Sequence, residues 1–385
     1  MEKSGGLYTD GTNGGLLSLS LDGGLPTRNF QDGHFEGAEK ITGATITKTI
    51  LTNRGNCFGC PVRCKREVTT KTPGMITDPN YGGPEYETVG ALGSCCGIDD
   101  LDAISYANQL CNAYSLDTIA TGVSIAFAME AYEKGLITKK ETGGLDLRFG
   151  NAAAMVKCVE MIGKREGFGD FLAEGVYRMS KEIGKGSEAF AMQIKGQEVP
   201  MHEPRIKYGL GIGYATSPTG ADHVHNIHDT GYTKDTGSMR AAGVLEPLPY
   251  NDLSPAKVRL LLYVTNWQIL TNSLGLCTFL PYDFHQVREI TNAVIGWNTS
   301  LWELLKVGER GHALARAFNA REGFTSEDDY LPRRFFEPLG SDTPAMEGVA
   351  IEEERFKKAL ITYYGMAGWD PATGTPIRER LEELD

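Results

Sequence analysis

Apolar residues recur with a helical period over most of this chain and with a strand period almost nowhere. From Asp99 the pattern turns helical: Leu101, Ile104, Ala107, Leu110, Cys111 and Tyr114 return near every 3.6 residues. Asp99 and Asp100 stand in front, where negative charge favours a helix N-terminus. Asp117 takes the place of an N-cap for a second helix, Thr118 to about Lys134, with Gly135 past its end. Further helices are predicted at about 151–164, 169–183, 254–271, 284–296, 299–320 and 350–364. Residues 39–52 carry a short apolar-periodic stretch. The alternating, β-branched run Glu67-Val68-Thr69-Thr70-Lys71 predicts a short strand.

Two regions depart from the helical pattern. Residues 1–38 are rich in Gly, Asn, Asp and Pro around one apolar run, Leu16–Leu21, and are expected to be loops with little core. Residues 196–232 are dense in polar and turn-forming types. They include Gly196–Arg205, then Ser217-Pro218-Thr219-Gly220-Ala221-Asp222-His223, with His225 and His228 behind. Such density in mid-chain predicts a functional loop system. The chain therefore reads as mainly α: two helical domains with short β elements, 1–190 and 191–385.

Composition narrows the functional classes. The net charge of −12 argues against a nucleic-acid surface, although Lys65-Arg66 forms a local basic pair. No stretch approaches the ~20 apolar residues of a membrane span. The start, Met1-Glu2-Lys3-Ser4-Gly5-Gly6, lacks a signal-peptide core, so the expected location is cytoplasmic. Eight cysteines in such a chain read as reduced thiols rather than a disulfide framework.

Three of those thiols stand close together, in Asn56-Cys57-Phe58-Gly59-Cys60-Pro61-Val62-Arg63-Cys64. Gly59 and Pro61 let the C-x2-C-x3-C loop curl so that the sulfurs can converge. Soft thiolates at this spacing suit an iron–sulfur cluster or zinc. Either needs a fourth ligand from elsewhere, and the candidate is Cys277, ending Asn272-Ser273-Leu274-Gly275-Leu276-Cys277. A similar hexapeptide, Asn112-Ala113-Tyr114-Ser115-Leu116-Asp117, occurs earlier. Cys95-Cys96 cannot easily share one metal, and Cys111 and Cys158 lie on helical faces, where core packing is expected.

These segments, with Gly83-Pro84-Glu85-Tyr86-Glu87, Ser217–His223, Gly368-Trp369-Asp370 and Thr373-Gly374, resemble the tungsten-containing aldehyde:ferredoxin oxidoreductases over nearly the whole chain. The resemblance implies the two helical domains 2 and 3 of that fold. It also implies oxidation of aldehydes to carboxylic acids at a tungsten or molybdenum bis-pterin centre, with electrons passing through a [4Fe–4S] cluster to ferredoxin. Cys57, Cys60, Cys64 and Cys277 would hold the cluster; structural zinc is the rival reading, and zinc knuckles seldom use this spacing. Asn112, Asp117 and Asn272 would hydrogen-bond two pterins, with Thr278 and its neighbours linking cluster to pterin. Asp117 can equally be a plain helix cap, and the two roles are compatible. Glu87 would be the base for water and His223 the hydrogen-bond donor, with Glu85, and His225 or His228, as rivals.

The sequence departs from the family pattern in places. The family implies an N-terminal β-rich base domain of roughly two hundred residues, which a separate chain would supply unless this chain is truncated. Asn112 and Asn272 replace an Asp, and Ser115 a Gly, in the usual D-x-x-G-L-[CD]. Asn keeps the carbonyl acceptor and adds a donor. An E-x-x-H metal site between subunits, found in some members, is not carried over. Its place is taken by Tyr106-Ala107-Asn108-Gln109, and Glu309-Arg310-Gly311-His312 is expected to be a solvated helix face. A homo-oligomer stays open. So do two other readings: a related tungstoenzyme subunit reducing an activated aromatic substrate, and an electron-transfer or scaffold subunit with the cluster alone.

Overall fold

Helices carry nearly all the regular structure in the computed structural model, which describes residues 5–340 and 349–385. Residues 1–4, part of the stretch read as lacking a signal-peptide core, lie outside the described residues. Contacts divide the chain into two units. One is Met1–Glu203 with Pro332–Ala350, the other Pro204–Leu331 with Ile351–Asp385.

In the first unit the helix Thr118–Glu133 is buried on every side from Thr121 to Ala131. It runs against the helix Tyr86–Leu92 so closely that a Cβ on Gly122 would stand 2.5 Å from the backbone of Ala91. The helices Leu101–Tyr114 and Ala152–Lys164 start where the sequence places them, capped by Asp100 and Asn151. Cys111 and Cys158 are fully buried, as their helical faces predict. The predicted helix 169–183 is two, Phe168–Leu172 and Gly175–Ile183. The break falls at Gly175, whose φ of +78° suits glycine. There the buried Glu198 accepts the Val176 N–H at 2.8 Å.

The N-terminal stretch is not peripheral. Leu16, Leu25 and Phe30 are fully buried, and Phe35 nearly so. Burying each such side chain contributes roughly 1.5–3 kcal/mol. Widely spaced apolar residues among turns carry no periodicity, which is why the sequence pattern underrates them. Phe30 also meets Phe335 edge to face, while Arg334 grips Glu130 at 2.7 and 2.8 Å. Asn29 donates to the same carboxylate. That buried network ties the segment beginning at Pro332 to the first unit.

The second unit is built on the helices Pro255–Ser273, Leu301–Arg321 and Glu353–Ala367. An additional helix, Tyr208–Thr216, lies inside the region predicted to be loop, and every residue in it is buried. Its glycines hide it from a propensity reading. They are there for close approach: a Cβ on Gly213 would stand 1.9 Å from Asn226 Oδ1. The Glu309–His312 stretch also differs from expectation, because His312 is buried rather than solvated. Arg316 on the same helix pairs with Asp329 at 2.7 and 2.8 Å and donates to the Gly374 carbonyl.

Candidate functional site

The cysteine loop is the connection of a hairpin. Strands Leu51–Gly55 and Lys65–Val68 pair antiparallel, and residues 56–64 run between them. Gly59 (φ +65°) and Arg63 (φ +52°) take the left-handed conformation and curl the loop. The Cys60 N–H donates to the Cys57 carbonyl at 3.0 Å. Cys57 is exposed, and Cys60 and Cys64 are half-buried. Buried Val62 anchors the loop from within. Beneath it, Arg66 is buried and donates to five backbone carbonyls: Leu7, Tyr8, Thr9, Arg63 and Cys64. Three soft donors on one clamped loop fit a metal–sulfur centre.

Beside this hairpin lies a groove of about 650 Å³. Its walls bring together Glu85, Glu87, Asn112 and Asp117 with Asn56, Lys65 and Arg66, which flank the thiols. Asn112 donates through Nδ2 to the Tyr81 carbonyl at 2.9 Å, and Asp117 Oδ1 caps Ala120 N at 2.8 Å. Burial pushes the Glu85 carboxyl up from its ordinary value, against a hydrogen bond from Thr12 and the charge of Arg66.

Glu87 lies in the first turn of the helix Tyr86–Leu92. Oε2 accepts the Met201 N–H at 2.8 Å, and Oε1 lies 3.2 Å from His202 Nε2. The Tyr86 hydroxyl donates to the Met201 carbonyl at 2.5 Å, and its ring lies 5.2 Å from that of His202. A Cβ on Gly90 would strike the Met201 side chain at 2.5 Å. Sequence reasoning missed His202. It stands 115 residues from Glu87 with no motif around it, and only the stiff Pro200-Met201-His202-Glu203-Pro204 run marks it.

The second unit holds the other candidates. Both hexapeptides close a helix with the same turn. Ser115 N–H reaches the Asn112 carbonyl and Leu116 N–H the Cys111 carbonyl; Gly275 and Leu276 do the same to Asn272 and Thr271. Ser115 (φ +57°) and Gly275 (φ +70°) occupy the same left-handed position. Asn112 and Asn272 therefore sit at the same place in two equivalent helix ends. Cys277 and Thr278 follow the second turn and are exposed, and Gln268 donates to the Thr278 hydroxyl at 3.4 Å.

The histidines after Tyr208–Thr216 separate into two settings. His223 is half-buried, its ring edge-on to His228, and His228 Nε2 donates to the His223 carbonyl at 3.1 Å. His225 bonds Asp222 at 2.5 Å. The carboxylate holds the imidazole pKa above its ordinary value, and the hydrogen bond from His225 holds Asp222 below its own despite burial. His225 and Asn272 both line a cavity of about 170 Å³ that reaches His312 and Tyr363.

The whole chain, residues 1–385, matches the family model described as aldehyde ferredoxin oxidoreductase, domains 2 & 3. It is similar to the tungsten-containing aldehyde ferredoxin oxidoreductase of Thermococcus kodakarensis, 36% identical over 384 residues, or 99% of this chain and 60% of that protein. The protein of the same description from Pyrococcus furiosus matches with the same identity and coverage. The chain thus spans 60% of the length of these curated relatives. Among solved structures, the active site complex BamBC of benzoyl coenzyme A reductase, with 1,5 dienoyl-CoA, shares the fold. The TM-score is 0.69 at 21% identity, covering 94% of this chain and 57% of that one.

Proposed function

We propose that this chain, which belongs to the aldehyde ferredoxin oxidoreductase family and spans its domains 2 and 3, is the helical part of an enzyme that oxidises aldehydes to carboxylic acids. Its cofactors are a tungsten or molybdenum bis-pterin and a [4Fe–4S] cluster, and its electron acceptor is ferredoxin. The observation that carries this reading is the groove of the first unit. It gathers Glu85, Glu87, Asn112 and Asp117 against the flanks of a three-thiol loop. The matching helix ends at Asn112 and Asn272 give a pair of equivalent donor sets, one for each pterin.

The bound metal would supply a Lewis acid and a two-electron acceptor. The chain's own residues do the rest. Converting an aldehyde and water to a carboxylic acid releases two electrons and two protons. Glu87, pinned by Met201 N–H and His202, takes a proton from water in a fixed rotamer. His223 donates a hydrogen bond to the carbonyl. Cys57, Cys60, Cys64 and Cys277 would hold the cluster, and the backbone at Cys277 and Thr278 would link it to the pterin. Asn112, Asp117 and Asn272 would hydrogen-bond the pterin rings.

The test is aldehyde-dependent reduction of ferredoxin by the anaerobically prepared enzyme containing this chain. Iron and tungsten (or molybdenum) should copurify, and acid should form in step with electrons delivered. Iron without either second metal, and no turnover, would mark an electron-transfer subunit instead. Turnover of an aromatic thioester but no aldehyde would mark the ring-reducing reading.

A further inference from the structure

We propose that Arg66 is a built-in counter-charge for the metal–sulfur centre, placed through the backbone of Cys64, and that it raises the reduction potential of that centre. This rests on the assignment of a cluster to the cysteine loop. Arg66 is 2% exposed, yet among the described residues it has no carboxylate at ion-pair distance. All five of its hydrogen bonds go to neutral carbonyls, at 2.7 Å to Arg63, 3.2 Å to Cys64, and 2.9–3.3 Å to Thr9, Tyr8 and Leu7. By contrast, buried Lys257 pairs with Asp229, buried Arg316 with Asp329, and buried Glu130 with Arg334. Glu85 and Asp10 act on Arg66 through their charge without forming an ion pair, and a buried cation without a paired anion is costly. The negative charge that suits this one is a thiolate-ligated cluster at the adjacent loop.

The placement is tight. A Cβ on Gly11 would stand 3.1 Å from the Cys64 carbonyl and 3.3 Å from Arg66 Nε, so the N-terminal segment is wedged against both. An arginine keeps its proton at working pH. Its charge is therefore fixed while the cluster changes by one electron. No bond forms or breaks in that step and no proton moves. A fixed positive charge favours the more negative, reduced cluster, and more strongly where water is excluded. Arg66 is thus a positioning residue through its carbonyl contacts and an electrostatic one through its charge.

The experiment uses the full chain prepared anaerobically. Its readouts are iron content and the midpoint potential from an EPR-monitored redox titration. Arg66→Gln should keep its iron and titrate at a more negative potential. Arg66→Lys, which keeps the charge and loses the fork, should titrate closer to the original than Arg66→Gln does. Equal potentials in all three, with equal iron, would overturn the proposal. If Arg66→Gln cannot hold iron, Arg66→Lys decides. Restored iron at a near-original potential upholds the counter-charge, and lost iron in Arg66→Lys too makes Arg66 a structural clamp and overturns it. Unaltered protein carrying zinc and no visible absorbance would instead overturn the cluster assignment itself.

Discussion

Glu87 Oε2 accepts the Met201 N–H, and Oε1 lies 3.2 Å from His202 Nε2 in the same short segment. That leaves little freedom of rotamer, and a base held in one geometry is more effective than a mobile one. Glu87→Gln in the complete enzyme should lower kcat by ~10²-fold or more, the scale of a lost general base, with iron and tungsten unchanged. Near-normal turnover would move the role to Glu85. His312 makes a second prediction at this scale. Burial chiefly, with help from the Arg316 charge, lowers its pKa from 6.5 to about 4. The unfolded chain therefore binds the proton first on acidification. The second unit should have its full stability above pH 6.5 and lose on the order of 3 kcal/mol between there and about pH 4. Chemical denaturation across that window should show the slope in the original protein and a flatter one in His312→Phe. Equal slopes would remove His312 from the acid sensitivity. Of these residues, the sequence marked Glu87 by its turn, while the buried state of His312 and the partnership of His202 depend on contacts no local pattern encodes.

At the scale of elements, the repeated helix ends carry the most information. Repetition is legible in sequence because the same turn demands the same small set of residues. The cost of Ser115 is legible only in its backbone. A non-glycine residue at φ +57° costs on the order of 1 kcal/mol. Ser115→Gly relieves it but loosens the unfolded chain, so a net gain of about 0.5 kcal/mol is expected from denaturant midpoints. A loss of stability would mean that the serine side chain carries a contact of its own. Asp117 separates capping from ligand binding. Asp117→Ser keeps a capping oxygen and should hold chain stability within a few tenths of a kcal/mol. The same variant should retain less pterin in the complete enzyme. Unchanged pterin content would leave Asp117 a cap alone. Elements that escaped the sequence did so for a physical reason. Tyr208–Thr216 is buried all round and glycine-rich, so it has neither amphipathic period nor propensity.

At the scale of the whole molecule, the proposed site residues fall in both units: three thiols, Glu87 and one hexapeptide in the first, and Cys277, Asn272 and His223 in the second. The mainly helical architecture followed from the apolar period alone, and no helix among the described residues is long and apolar enough to cross a membrane. The contribution of the N-terminal stretch to the core, and the return of the chain from Pro332 to the first unit, did not. Both depend on long-range partners such as Phe30 with Phe335 and Glu130 with Arg334. The proposal on which everything else rests is that Cys57, Cys60, Cys64 and Cys277 hold one cluster. The measurement that tests it most directly is iron content with EPR on the anaerobically prepared chain, beside Cys277→Ala. The account predicts a brown protein with about four irons per chain, and a Cys277→Ala variant that stays folded but loses or converts the cluster. One equivalent of zinc with no visible absorbance, or a Cys277→Ala variant with the original iron and spectrum, would contradict it.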